Sequence, residues 1–189
     1  MSLEPNITGS IGADLRSLRK SRGMTLADLA EQVGKSVGWV SQVERDISHP
    51  SIDDLRQLAD AVSVPISIFF GQSPARADEF GRIVRAGMRR SIGGGEIGLR
   101  EELLSPDLTD DFEMVRSVFE PGASLPKAVT RATQEVGYLV SGKLTLWISG
   151  DKFDLEAGDS FRIRGEPFRW ENPYNNAAVA IWVIAPPVY

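Results

Sequence analysis

The sequence predicts an α+β protein of two consecutive domains, an all-α domain followed by an all-β domain. In the first seventy residues, apolar side chains recur with the period of a helix, and serine, threonine and glycine stand at the expected helix ends. After Gly71 the pattern changes to short apolar runs separated by turn residues at roughly every eight to twelve positions. We expect a tail at 1–10, a helical domain at 11–71, a linker at 72–81 and a β-domain at 82–189.

Composition excludes several classes of function. The chain has no cysteine and a single histidine, His49. Disulfides, thiol catalysis, cysteine-ligated metals, multi-histidine metal centres and most imidazole catalysis are therefore excluded. Every apolar run is shorter than the roughly 18 to 20 residues of a membrane span. We expect a cytoplasmic protein with no membrane partner, metal or cofactor.

The net charge does not by itself indicate a partner. The formal charge is −5 and both halves are acidic, whereas proteins that bind nucleic acid strongly are commonly basic. Positive charge is concentrated locally instead, with Arg16, Arg19, Lys20 and Arg22 inside seven residues. Such a run is either a DNA-contacting surface or a solvated helix face.

Five helices are expected before the linker. An apolar face that ends at Arg22-Gly23 predicts the first helix over about residues 10–22, and the spacing of Thr25 and Asp28 fits a capping box for the second. Ser36 is a suitable N-cap for a third helix, Val37 to about Arg45. Capping residues near Ser51 open a fourth, and a proline at 65 suits the first turn of a fifth.

The order of these segments carries a family resemblance. Thr25–Gly34, Ser36–Arg45 and His49–Ser51 resemble the XRE-type helix-turn-helix regulators, which are related to phage repressors. The resemblance implies that the third helix is a recognition helix, which enters the major groove of DNA. It also implies a structural pair between Arg19 and Glu44.

The same resemblance assigns DNA contacts residue by residue. The residues expected at base edges are Val37, Gly38, Trp39 and Gln42, with Ser41 as a further candidate. The residues expected at phosphates are Thr25, Lys35, Ser36 and Arg45. Gln42 is the best candidate for reading a base, because an amide can bond N6 and N7 of adenine together. Trp39 can alternatively pack against a neighbouring helix or subunit.

Seven strands are expected in the second half, each bounded by glycine, proline or asparagine turns. They are Glu113–Phe119, Val136–Val140, Leu144–Ile148, Phe153–Leu155, Ser160–Ile163, Phe168–Glu171 and Val179–Ile184. Gly93–Gly95 is expected to be a loop. This pattern predicts a β-sandwich or small barrel, whose interior is either filled by side chains or holds one small ligand.

Turn and carboxylate positions in this half resemble those of the cupin superfamily, whose fold is a double-stranded β-helix or jelly-roll barrel. The matching positions are Pro121, Gly122, Glu135 and Gly142 for the first cupin motif, and Gly158, Asp159, Pro167 and Asn172 for the second. A helix-turn-helix domain followed by a cupin is similar to known two-domain regulators. That similarity also implies an arginine-rich strand at Arg85–Arg90.

Departures from the cupin pattern argue against a metal site and against catalysis. Where metal-binding cupins carry histidines, this chain has Ala128, Thr130 and Phe168, so Glu135 alone remains as a ligand. One carboxylate cannot hold iron, manganese or zinc, which also excludes a two-histidine iron epoxidase. A metal-independent epimerase or isomerase stays as an alternative, although it needs an acid–base pair and no histidine accompanies Glu135.

A metal-free cupin suggests a pocket for a small-molecule effector. The expected lining residues are Arg116, Ala128, Thr130, Gln134, Glu135, Phe168, Trp170 and Trp182. Arg116 would favour an anionic effector, because its guanidinium pairs with carboxylate or phosphate. In the alternative, Phe168 and Ala128 fill the cavity, and the cupin domain is purely structural and serves to dimerise the protein.

Together these features predict a homodimeric, sequence-specific transcriptional regulator. One recognition helix reads only a few base pairs, whereas two helices about 34 Å apart read one face of double-stranded DNA. The expected partners are a pseudo-palindromic operator, a second copy of the chain and the effector. Effector binding would change the relative placement of the two DNA-binding domains.

Overall fold

The computed structural model describes residues 10–70, 78–79, 81–92 and 98–187, which divide into two compact units. The first unit takes the described residues up to Arg90 together with Pro106–Asp110, and the second takes Ser91–Ser105 and those from Asp111 onward. The division between the two units follows Arg90. Most of the expected tail and linker, and all of the glycine loop at 93–95, lie outside the described residues.

Within the described residues, the first unit has four α-helices. They are α1 (Ile11–Ser21), α2 (Leu26–Gln32), α3 (Val37–Val43) and α4 (Ile52–Ala61). The expected fifth helix is only a 3-10 helix, Ile66–Phe69, with Pro65 as its N-cap. Phe70 returns to extended backbone, so the segment is too short to become α-helical. No helix in the described part of the chain is long and apolar enough to cross a membrane.

Each α-helix begins with a hydroxyl side chain that accepts a hydrogen bond from the backbone three residues further on. These caps are Ser10, Thr25, Ser36 and Ser51. Thr25 and Ser51 form complete capping boxes with Asp28 and Asp54. The apolar faces of the four helices enclose a core of leucine and valine side chains, among them Leu15, Leu29 and Leu58.

A buried ion pair lies where the first unit ends. Arg90 Nη2 donates a hydrogen bond to Asp14 Oδ2 at 2.8 Å, and Arg90 Nη1 donates to the Ile68 carbonyl at 2.8 Å. Burial raises the pKa of Asp14 above its usual value, against the opposing effect of Arg90. The expected strand at Arg85–Arg90 is wrong: Ala86–Met88 is a 3-10 helix, and a strand begins only at Arg90.

The second unit is built from strands. In chain order they are β1 (Arg90–Ile92), β2 (Leu99–Leu103), β3 (Glu113–Phe119), β4 (Gln134–Ser141), β5 (Lys143–Ile148), β6 (Asp151–Glu156), β7 (Ser160–Arg164), β8 (Phe168–Glu171) and β9 (Ala178–Ala185). All seven expected strands are present, most of them longer than expected. The sequence analysis missed β1 and β2, because β1 is short and three of the five β2 residues are charged.

The strands form two sheets that face each other. The larger sheet has the order β1-β2-β3-β9-β4-β7 and the smaller one β6-β5-β8. Pairing is antiparallel from β2 to β7 in the larger sheet and throughout the smaller one. Phe119 of the larger sheet meets Trp170 of the smaller sheet edge-to-face, with ring centroids 4.7 Å apart. The interior between the sheets therefore contains aromatic side chains from both.

Candidate functional site

Helix α3 presents one face to solvent and buries the other. Val40 and Val43 are almost completely buried and fix the helix against the core. Gly38 and Gln42 are exposed, and Val37 is 46% exposed at the first turn. Ser36 accepts a hydrogen bond from the backbone N–H of Trp39, so the start of the helix is held without using the outer face. This outer face carries the residues predicted to read bases.

The turn between α2 and α3 sets the direction in which α3 begins. Gly34 has a φ of 63°, a left-handed conformation that glycine adopts without a steric penalty. The next N–H, that of Lys35, donates to the Ala30 carbonyl at 2.9 Å and closes the end of α2. Gly34 therefore lets the chain turn from the end of α2 towards α3.

The C-terminal end of α3 is tied to α1 by the expected pair of Arg19 and Glu44. Arg19 donates through Nε and Nη2 to the two carboxylate oxygens of Glu44, at 2.5 and 2.9 Å, and its Nη1 donates to the Met24 carbonyl. Both side chains are buried, and the hydrogen bond to Glu44 raises the pKa of Arg19 above its usual value. A bidentate pair of this kind fixes the angle of α3.

Two residues that sequence analysis missed also position α3. Asp46, at a φ of 56°, accepts hydrogen bonds from the Gly12 N–H and the Ser10 hydroxyl at the start of α1. A Cβ on Gly12 would lie 2.3 Å from the carbonyl oxygen of Val43, so α1 and the end of α3 approach too closely for any other residue. A glycine in the first turn of a helix was the signal, because glycine there usually reflects close packing.

The basic residues expected at phosphates differ in their surroundings. Lys35 Nζ lies 2.7 Å from Asp54 Oδ1 and 5.0 Å from the centre of the Trp39 ring. Lys35 therefore lies over the ring of Trp39, which is half-buried. Arg45 is exposed and donates through Nε to the Ser41 carbonyl at 3.0 Å, which aligns its guanidinium along the end of α3.

The second unit contains a cavity between its sheets of about 50 Å³. Its lining residues are Leu99, Glu101, Phe119, Leu125, Arg131, Glu135, Phe168, Trp170, Trp182 and Ile184. Four of the eight expected residues are brought together there, namely Glu135, Phe168, Trp170 and Trp182.

Glu135 is the central polar group of the cavity. Its side chain is 1% exposed and accepts a hydrogen bond from the Thr133 hydroxyl at 2.7 Å. Arg131 Nη1 lies 3.8 Å from Glu135 Oε1, and its guanidinium is 5.6 Å from the centre of the Phe168 ring. The Arg131 side chain is 44% exposed, so it stands between the buried carboxylate and solvent.

Trp182 lines the same cavity and carries a buried donor. Trp182 is 5% exposed, and its Nε1 has no hydrogen-bond partner among the described residues. Its ring meets Phe161 edge-to-face at 4.9 Å between centroids. A buried N–H of this type gains free energy from any acceptor that reaches it.

The other four expected pocket residues lie elsewhere. Arg116 lies on the outer face of β3, because its neighbours Val115 and Ser117 point to the buried face. Its Nη1 lies 3.1 Å from Glu102 Oε2. It lines a separate surface depression of about 310 Å³. Ala128, Thr130 and Gln134 are exposed. The first two flank Val129, which pairs with Phe168, and Gln134 has the outward parity of β4.

Sequence analysis missed Glu101 and Arg131 as cavity residues. Glu101 lies on β2, a strand that was not expected, and it accepts a hydrogen bond from the Ser117 hydroxyl at 2.8 Å. Arg131 stands four residues before Glu135 and outside the strands. The alternation of buried and exposed residues therefore gives no information about where its side chain points. Among the described residues, no group of three acidic or histidine side chains is placed to hold a metal ion.

A capped, exposed helix on a helical unit, followed by an antiparallel β-sandwich with a cavity, defines a two-domain DNA-binding regulator. Residues 15–69 match the helix-turn-helix family model, and residues 115–184 match that of the cupin domain. The chain belongs to the XRE-type helix-turn-helix transcriptional regulators, with a cupin domain after the DNA-binding domain.

Two relatives illustrate this relationship. The chain is 26% identical over 165 residues to the HTH-type transcriptional regulator PuuR of Escherichia coli, covering 85% of this chain and 86% of that protein. It is 31% identical over 80 residues to the transcriptional regulator ClgR of Mycobacterium tuberculosis, covering 41% of this chain and 71% of that one. Both relatives are named as transcriptional regulators and not as enzymes.

Two solved structures align with this chain at low sequence identity. One is an HTH_3 family transcriptional regulator from Vibrio cholerae, 20% identical, with a TM-score of 0.46 over 96% of this chain and 97% of that one. The cupin domain of an XRE family regulator from Enterobacter cloacae, 22% identical, aligns over 48% of this chain and 98% of its own length with a TM-score of 0.42.

Proposed function

We propose that this transcriptional regulator binds a pseudo-palindromic operator as a homodimer and responds to a small molecule bound in its cupin domain. The observation that carries the DNA-binding part is the outer face of α3. Val37, Gly38 and Gln42 are exposed there, while Val40, Val43 and the Arg19–Glu44 pair hold the helix from behind. A helix fixed on one face and free on the other is what major-groove reading requires. A protein with this role works in the cytoplasm with its DNA.

The proposed contacts divide into bases and phosphates. Gln42 would read a base, with Val37, Gly38, Trp39 and Ser41 as neighbours on the same surface. Thr25 and Ser36 use their hydroxyl oxygens as acceptors for helix caps, which leaves each O–H able to donate to a phosphate. Arg45 supports the phosphate side. Lys35 would have to exchange its Asp54 partner for a phosphate.

The effector would bind in the cavity beside Glu135. The carboxyl oxygens of Glu135 accept hydrogen bonds, so this group suits an effector that offers an N–H or O–H. It would also place an acceptor near Trp182 Nε1 and apolar atoms against Phe168 and Trp170. Arg116 lies outside this cavity, so it does not support the expectation of an anionic effector. Arg131 lies at the edge of the cavity and supplies the positive charge for such an effector instead.

The size of the cavity favours a second candidate function. About 50 Å³ is far below the roughly 300–1,000 Å³ of common ligand sites. A cupin domain that only dimerises the protein would need no larger space. The two candidates make opposite predictions about ligands, since a structural domain would not change operator affinity in the presence of any small molecule.

Selection of the full-length protein against a random duplex library at two salt concentrations tests the proposed function. We expect an enriched palindrome whose half-sites are about ten base pairs apart, because two symmetry-related helices read adjacent turns of the groove. Affinity should fall steeply with salt through phosphate contacts. Enrichment of a single, non-repeated half-site would contradict the dimer, and absence of any enrichment would contradict sequence-specific binding by the unliganded protein.

A further inference from the structure

Lys35, one of the residues expected at a phosphate, has an acidic partner inside its own unit. Its Nζ lies 2.7 Å from Oδ1 of Asp54, which belongs to the first turn of α4. The side chain of Lys35 is 36% exposed and that of Asp54 is 19% exposed, so a ligand can reach the ammonium from solvent. A phosphate that approaches Lys35 therefore meets an ammonium that is already paired with a carboxylate.

The two carboxylate oxygens of Asp54 have different partners. Oδ2 accepts hydrogen bonds from the backbone N–H and the hydroxyl of Ser51, at 3.0 and 2.7 Å, and belongs to the capping box of α4. Oδ1 holds Lys35. The hydrogen bond from Lys35 is the largest of the effects that lower the pKa of Asp54 to about 2, so the carboxylate is charged at neutral pH. The capping bonds fix Asp54 in place, and Lys35 is the partner that can move.

The ammonium of Lys35 also lies over a residue of α3. Its Nζ is 5.0 Å from the centre of the Trp39 ring, within the roughly 6 Å at which a cation is attracted to an aromatic face. The backbone N–H of Trp39 donates to the Ser36 hydroxyl at 3.1 Å, which holds this residue at the start of the helix. Lys35 therefore has two favourable contacts in the free protein, and a move towards DNA weakens both.

Arg45, the other basic residue expected at a phosphate, is held differently. Its Nε donates to the Ser41 carbonyl at 3.0 Å, and this acceptor carries no net charge. Arg45 can keep this hydrogen bond and still offer its remaining N–H groups to a phosphate, because a guanidinium carries five donors. A competing carboxylate is thus a feature of the Lys35 contact and not of the Arg45 contact.

We propose that Asp54 limits the DNA affinity of this protein by competing with phosphate for Lys35. In the free protein the ammonium stays with Asp54, and on DNA it leaves the carboxylate for a phosphate. Phosphate contacts carry no sequence information, so the competition lowers the affinity for every duplex alike. This inference rests on the proposed DNA contacts, and it gives Asp54 an effect opposite to that of the residues that bind DNA.

Asp54→Asn in the full-length protein tests the competition. The amide oxygen can still accept from Ser51, but the charge that holds Lys35 is removed. We expect the affinity for a random-sequence duplex and for the selected operator to rise about five-fold, which is the upper end for a surface ion pair. Fluorescence anisotropy at about 100 mM salt measures both. The matched control is Asp53→Asn, which removes an equal charge from the same turn, where Asp53 pairs with Arg56, and should change affinity by less than about two-fold.

A double-mutant cycle shows whether Asp54 acts through Lys35. Lys35→Met keeps an unbranched side chain and removes the ammonium, so it should lower affinity for both duplexes and reduce the salt slope by about 1. In the Lys35→Met protein, Asp54→Asn should no longer raise affinity. A gain that persists in that protein would mean that Asp54 repels DNA directly and would overturn the competition. Unchanged or weaker binding by the single Asp54→Asn variant would also overturn it.

A measurement on the free protein reports on the pair without DNA. Labelling with 5-fluorotryptophan gives one fluorine signal for each of the four tryptophans, and Trp39→Phe identifies the signal of Trp39. Asp54→Asn should shift this signal, because Lys35 loses the partner that holds it near the ring, whereas Asp53→Asn should leave it in place. A Trp39 signal that is the same in Asp54→Asn and in the natural protein would contradict the pair. The other three signals show whether the variant is folded.

Failure of this inference is distinguishable from failure of the proposed function. If the natural protein binds neither duplex, the DNA-binding proposal falls, and the competition falls with it. If the natural protein selects an operator while Asp54→Asn binds it no more tightly, the DNA-binding proposal stands and the competition alone falls.

Discussion

At the scale of single residues, Gly38 should affect protein stability and DNA binding in opposite directions. Glycine inside a helix costs about 1 kcal/mol relative to alanine. The protein itself does not require it, because the nearest atom to an added Cβ is the Ser36 hydroxyl at 3.9 Å. The open space lies on the outer face of α3, where DNA would approach.

Gly38→Ala should therefore stabilise the free protein and weaken operator binding. We expect urea unfolding to show a gain of about 0.5–1 kcal/mol in the free energy of unfolding. Titration with the operator should show a loss of about ten-fold in affinity, because each methyl group meets the DNA surface in a closely packed contact. Gly12→Ala is the contrasting control, since its Cβ would lie 2.3 Å from the Val43 carbonyl oxygen and should destabilise the fold. Unchanged operator affinity in the Gly38→Ala protein would contradict a close approach.

Gln42 and Arg45 should differ in what they contribute to DNA binding. Gln42→Ala should reduce discrimination at one base-pair position by about 1–3 kcal/mol while leaving affinity for random duplex unchanged. Arg45→Ala should weaken binding to both duplexes alike and lower the slope of log affinity against log salt by about 1. Competition titrations with operator and random duplexes measure both effects. Equal losses on both duplexes for Gln42→Ala would contradict base reading.

At the scale of secondary-structure elements, the start of α4 depends on an ionised capping residue. Hydrogen bonds from Lys35 and then from Ser51 lower the pKa of Asp54 from 3.8 to about 2. The folded state therefore holds the carboxylate more strongly than the unfolded chain does. Its contribution to stability is complete above the ordinary pKa and is lost as pH falls towards 2.

Thermal unfolding between pH 2 and pH 6 should show this contribution. Asp54→Asn should lose stability at pH 6 and approach the natural protein near pH 2, because the natural carboxyl is then protonated as well. Asp53→Asn removes an equal charge from the same turn of α4, where Asp53 pairs with the exposed Arg56 and takes no part in the capping box. A constant difference between the Asp54→Asn and natural proteins across this range would contradict an ionised cap.

The helices and strands also show which parts of the fold sequence patterns can predict. Periodicity and capping residues predicted α1 to α4 and seven of the strands, because each has apolar residues on one face and a turn residue at its end. The same reasoning missed β2, since Arg100, Glu101 and Glu102 hide its alternation. It also predicted a fifth α-helix where four residues make a 3-10 turn.

Only some of the residues that line the cavity could be predicted. The deciding factor is whether the alternation along a strand shows which side chains face the interior. Glu135, Phe168, Trp170 and Trp182 fall on strands where one parity is clearly buried. On β3 both parities carry apolar residues, as Val115 and Val118 show, so the sequence could not decide which way Arg116 points. Arg131 lies outside the strands, and its contact with Glu135 depends on how the chain returns to β4.

At the scale of the whole molecule, one chain joins a DNA-binding unit to a unit whose cavity contains the buried side chain of Glu135. An effector can change operator affinity only if it binds more strongly to one state of the protein than to another. Coupling of this kind is reciprocal: if the effector changes operator affinity by some factor, the operator changes effector affinity by the same factor. This reciprocity separates a sensing cupin from a structural one.

Glu135→Gln should remove effector binding and leave DNA binding in the absence of effector unchanged. The amide keeps the size of the side chain and can still accept from Thr133, but it replaces one carboxyl oxygen with an NH2 group that only donates. For a compound that raises the melting temperature of the natural protein, we expect the shift to vanish in Glu135→Gln and to persist in Glu102→Gln, whose side chain lies outside the cavity. Calorimetric titration of that compound should give different affinities for the free and the operator-bound protein. Equal affinities would mean that the cavity holds a ligand without controlling DNA, and would favour the dimerising role for the cupin domain.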